Sequence, residues 1–170
     1  IVSAQSLAEQ GTAKDHLVLL DLPDSEEQLS SVLKQLKPKR VYAHFYAQES
    51  QYFERIPDRD QFKWLFGFVK KRGTFDFKKN GDELAKHKGW SRETLFFMLQ
   101  VFFELGFVTL NNGITEIAQA PGKRDLTEAP AYQKRERQIA LEQKLLYASY
   151  RDLKDWFDAQ VSAKEEELWI

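Results

Sequence analysis

Three histidines, 26 carboxylates and no cysteine are what this 170-residue chain offers for chemistry at a reacting centre. Without cysteine there is no thiolate nucleophile, no thiolate metal site and no disulfide framework. A metal ion held by nitrogen and oxygen needs a cluster of His, Asp or Glu at compatible spacing, and Asp15-His16 stands alone. His44 falls in an apolar run and His87 among lysines, with no partner that would make either a general base. Asp21-Leu22-Pro23-Asp24 ends an expected strand, where α/β folds place ligand loops, yet no glycine-rich phosphate loop follows. A nucleophile, a base and an orienting group do not assemble from these residues. The sequence therefore predicts no catalytic residue and no metal ligand.

Binding chemistry is better represented. Net charge is −1, but the window from Arg59 to Arg92 holds ten basic residues against four acidic ones, a net of +6. Lys70, Lys71, Arg72, Lys78, Lys79, Lys86, Lys88 and Arg92 are the candidate DNA-binding residues, because a dense cationic surface gains affinity for phosphates by releasing counterions. An ordinary solvated surface is the alternative. Phe75, Trp90 and Phe97 are candidate platforms for stacked bases, with the hydrophobic core as the other destination for such side chains.

The elements that position these residues follow from pattern. Phe62, Leu65, Phe66 and Val69 lie on one face of a helix over Arg59–Arg72, begun by Pro57-Asp58 and stopped by Gly73. Thr74 to Phe77 is a short aromatic strand, and Asn80 to His87 a brief helix ending at Gly89. Ser91 caps a third helix, Arg92 to Leu105, which Gly106 terminates. Phe107–Leu110 and Ile114–Ile117 flank Asn111-Asn112-Gly113 as a hairpin. Helix, strand, helix, helix, hairpin is the order of a winged helix. The polar side of the third helix is Glu93, Gln100 and Glu104. Carboxylates there are repelled by the phosphates flanking a groove, which disfavours sequence-specific reading. That face, with Phe97 and with Trp169 in the C-terminal Leu168-Trp169-Ile170, is instead the candidate partner-docking surface.

On either side lie simpler segments. Leu17–Leu22 and Arg40–Tyr46 are buried-strand runs around a helix with Ser25 and Gln28 as a capping box. Such a strand–helix–strand unit implies a parallel crossover. After the hairpin, a Pro/Gly-containing loop leads to two closing helices, one from Tyr132 to Tyr147 and one lined by Tyr150, Leu153, Trp156 and Phe157. The fold class is α/β: a small layer with parallel strands over residues 1–56, a winged helix over 57–120, and a loop with C-terminal helices over 121–170. No stretch approaches the roughly 20 apolar residues of a membrane span. The missing cysteines fit a reducing, cytoplasmic setting. The only methionine is Met98, so a segment of a longer protein is expected.

Four blocks carry a family resemblance: Tyr52 to Phe62, Glu83 to Trp90, Phe97 to Val108 and Arg124 to Tyr132. Through them, and over about Leu17 to Phe157, the chain resembles the C-terminal domain of the RecJ exonucleases of Gram-positive bacteria. The resemblance implies a parent that degrades single-stranded DNA 5′ to 3′ in recombination and repair, with Mn²⁺ or Mg²⁺. It also implies that catalysis sits in N-terminal domains with an Asp-His-His motif. Asp15-His16 is followed by Leu17, so no metal ligand carries over and no cofactor is expected in this segment. An accessory domain follows from this. Its expected partners are single-stranded or junction DNA, a helicase or single-strand-binding protein, and the catalytic domains of its parent, with no membrane. A free-standing dimeric winged-helix regulator is the further alternative, against which the acidic third helix counts.

Overall fold

A computed structural model describes residues 15–45, 52, 55–119 and 122–162. They form a mixed α/β structure, mostly helical with two small sheets. The chain divides into two compact units, one of residues 1–53 with 137–170 and one of residues 54–136. Among the described residues no helix is long and apolar enough to cross a membrane.

In the first unit, β1 (His16–Leu19), α1 (Glu26–Leu36) and β2 (Arg40–Ala43) follow one another, and the strands pair in parallel with His16 opposite Arg40. Ser25 Oγ accepts from the Gln28 amide, and Gln28 Oε1 accepts from the Asp24 amide, fixing the entry into α1. Leu29, Val32, Leu33 and Leu36 are its buried stripe. They form one core with Leu17 and with Leu141 and Leu145 near the end of α5 (Pro130–Leu145). Leu153, Trp156 and Phe157 of α6 (Tyr150–Ser162) pack against that core. The expected run Leu17–Leu22 is shorter as a strand and is not buried throughout. Leu17 is buried while Val18 is 57% exposed, because alternate residues of the strand point to opposite faces. Glu26 Oε1 accepts from both Lys144 Nζ and Trp156 Nε1, tying α1 to α5 and α6.

The second unit contains α2 (Arg59–Arg72), β3 (Thr74–Asp76), α3 (Phe77–Lys88), α4 (Arg92–Glu104), β4 (Val108–Asn111) and β5 (Ile114–Ile117). The three strands form one antiparallel sheet in the order β3-β5-β4. Asp58 accepts from the Asp60 and Gln61 amides while Gln61 Oε1 accepts from the Asp58 amide, a reciprocal cap that starts α2. Gly73, at a φ of 82°, ends it. Asn112 and Gly113 both have positive φ, 52° and 87°, as a tight two-residue hairpin turn requires. Phe62, Leu65 and Val69 of α2 meet Phe75 of β3 and Leu95, Met98, Val101 and Phe102 of α4 in the core.

Candidate nucleic-acid interface

All eight candidate DNA-binding cations lie in the second unit, but the structure gives them different neighbours. Lys70, Lys71 and Arg72 are exposed on the last turn of α2. Lys78 is exposed near the start of α3, its stem against Gly113 of the hairpin turn. Lys86 is exposed near the end of α3. None of these five has an ion-pair partner among the described residues. Lys79, by contrast, is 3.6 Å from Asp76, whose other oxygen caps α3 by accepting from the Lys79 amide. Arg92 is drawn to Asp82 and lies 4.8 Å from the centroid of the Phe77 ring. The cationic surface is thus smaller than the composition of the window implies.

Lys88 is the one member of the set close to two aromatic rings among the described residues. Its Nζ lies 4.0 Å from the centroid of Trp64 and 5.6 Å from that of Trp90. Trp64 stacks on Phe68 at 5.3 Å and 14°, and the Arg72 guanidinium is 5.9 Å from Phe68. Two stacked rings of α2 are thus flanked by a cation at each end, Lys88 of α3 and Arg72 of α2, with Trp64 37% exposed. Of the expected stacking platforms, Phe75 and Phe97 are buried in the core at 1% and 5% exposure and Trp90 is half-buried. Phe75 and Phe97 are therefore withdrawn as base platforms. Trp64 was missed because a tryptophan three residues before Gly67 on an amphipathic helix looks like the edge of the apolar stripe. Its spacing of four and seven residues from Phe68 and Lys71 was the available signal.

The expected docking face of α4 is rearranged in the same way. Glu93 is exposed, but Phe97 packs against Phe62 and Tyr132, with the Arg135 guanidinium 3.9 Å above its ring. Glu104 accepts from the Ala131 amide at the start of α5 at 2.7 Å and from Gln100 Nε2 within α4 at 3.0 Å, so both side chains are engaged. The apolar side chains α4 does present are Phe96 and Phe103, 53% and 50% exposed. They stand three residues after Glu93 and Gln100, which mark the solvent side. Trp169 lies outside the described residues.

A cleft of about 340 Å³ is lined by residues including Asp58, Arg59, Arg124, Asp125 and Tyr132. Its carboxylates are already used: Asp58 caps α2, and Asp125 accepts from the Thr127 amide and hydroxyl, which hold it below its ordinary range. Glu128 is likewise lowered by the Asp125 amide and then by Arg124. Burial raises the Tyr132 hydroxyl. His16, the first residue of β1, His44, just after β2, and His87, near the end of α3, are all exposed. Among the described residues no three His, Asp or Glu side chains are grouped to hold a metal ion, and no step through a metal is assigned to them.

Residues 1–157 match the sequence model of the single-strand DNA-specific exonuclease C-terminal domain. The chain belongs to this family. Its similarity extends to the single-stranded-DNA-specific exonuclease RecJ of Bacillus subtilis (strain 168), at 44% identity over 151 residues. That alignment covers 89% of this exonuclease C-terminal domain but 19% of the relative, so the chain spans about a fifth of the length of the curated relative it matches. No solved structure matches the domain.

Proposed function

We propose that the chain is a non-catalytic accessory domain of a longer single-stranded-DNA exonuclease, and that its 54–136 unit is a winged helix that holds single-stranded or junction DNA by the backbone. The winged-helix reading is supported by the element order and by β3 joining the hairpin edge. One observation carries the DNA reading: Lys70, Lys71, Arg72, Lys78 and Lys86 are exposed without an ion-pair partner among the described residues. A cation that no carboxylate has already neutralised keeps its full gain on meeting phosphate. Glu93 on α4 supports backbone holding over base reading, since it would face the phosphates of a groove. On this reading hydrolysis, with Mn²⁺ or Mg²⁺, belongs to other domains of a cytoplasmic parent that acts in DNA repair and recombination, and those domains are themselves partners.

Charge reversal at Lys70, Lys71, Lys78 and Lys86 together is expected to abolish binding of the 170-residue chain to a labelled single strand at low salt, with circular dichroism unchanged. A folded quadruple variant that binds as the parent does contradicts the reading. The exposure of Phe96 and Phe103 beside Glu93 favours a second role, docking of a repair partner such as a helicase or single-strand-binding protein.

A further inference from the structure

Gly67 lies in the middle of α2, exposed, and a Cβ added there meets nothing within 4 Å. Glycine weakens a helix interior relative to alanine. Here neither close packing nor a left-handed backbone requires it. Its neighbours on the helix surface, three and four residues away, are Lys63, Trp64, Lys70 and Lys71. Lys70 and Lys71 follow Gly67 by three and four residues on the same side of the helix, and no side chain covers the position itself. The result is a stretch of uncovered backbone flanked, at helical spacing, by one indole-bearing and three lysine positions.

We propose that this face of α2, centred on Gly67, is a seat for single-stranded nucleic acid, with a base stacked on Trp64 and the adjoining phosphates on Lys63, Lys70 and Lys71. The inference rests on the DNA-holding reading above and adds a site to it. Charge complementarity favours a polyanion, and the exposed indole favours one with accessible bases, which a duplex does not offer. Asp60, 3.6 Å from Lys63 Nζ, is the one carboxylate paired with these lysines among the described residues, and that surface pair is a weak competitor for phosphate. Lys88 covers one face of Trp64 in the free protein. A base stacked on Trp64 replaces the half-buried Lys88 ammonium on that ring. Lys88 is thereby released toward the phosphate of the next nucleotide.

The test uses the 170-residue chain with a short labelled oligothymidylate, the same length of duplex, and poly-L-glutamate as a purely acidic polymer. Gly67→Leu fills the seat while improving helix propensity, so its Tm should rise by about 2 °C and its affinity for the single strand should fall roughly tenfold. Trp64→Ala should cost roughly the same factor and Trp64→Phe much less. If Gly67→Leu and Trp64→Ala bind the single strand as the parent does while the quadruple lysine reversal abolishes binding, the seat is refuted and backbone holding survives. Loss of all binding by the parent chain at low salt refutes both. Poly-L-glutamate or duplex binding as tightly as the single strand, and equally weakened by Gly67→Leu, assigns the seat to another polyanion and overturns the proposal.

Discussion

Glu26 shows how one side chain can hold three helices at a single point. Lys144 and then Trp156 donate to its carboxylate, and these bonds keep it below its ordinary value of 4.5. A group whose folded pKa is depressed contributes stability that is present above the unfolded value and lost as pH falls through the folded one. The Tm of the parent should therefore exceed that of Glu26→Gln at neutral pH, and the gap should close as pH drops below about 4.5. A gap that stays constant down to pH 3 contradicts this role. None of this was legible in the sequence, because Glu26 and its two donors lie more than a hundred residues apart. Phe96 and Phe97 teach the same lesson locally. On a helix as apolar as α4 either one is a plausible core residue, and the structure buries Phe97 at 5% while leaving Phe96 53% exposed.

At the scale of elements, much of what local chemistry dictates was readable, the cap of α3 excepted, and what distant partners dictate was not. Asp58, Gln61 and Gly73 bound α2 by contacts within a few residues, and the helix runs from Arg59 to Arg72 as expected. α3 begins at Phe77 rather than Asn80 because Asp76, not a later residue, caps it. α5 starts at Pro130 rather than Tyr132, with the Ala131 amide donating to Glu104 of α4. The strand at Arg40 ends at Ala43, short of the expected Tyr46, which lies outside the described residues. For α4 the exposed pair defines the docking prediction: Phe96→Ser with Phe103→Ser should abolish capture of a partner from the same cell's repair proteins while leaving Tm and single-strand binding unchanged. Undiminished capture by that double variant makes the face ordinary surface.

The whole chain carries a net charge of −1, and the proposed DNA-holding role depends on how that charge is divided. Sequence counting located the basic window and overstated it, because it could not see Asp76 beside Lys79 or Asp82 beside Arg92. The family to which the chain belongs was legible from its motifs, and the match over residues 1–157 establishes it. The central claim is that this domain holds single-stranded DNA through unpaired cations of the 54–136 unit. The most direct measurement is the affinity of the 170-residue chain for a labelled single strand as a function of salt. Each phosphate contact adds about −0.7 to the slope of log affinity against log salt for a single strand, so the five unpaired cations predict a slope of about −3.5 in the parent chain, with binding lost in the quadruple reversal variant. Binding with no salt dependence, or none at low salt, contradicts the account.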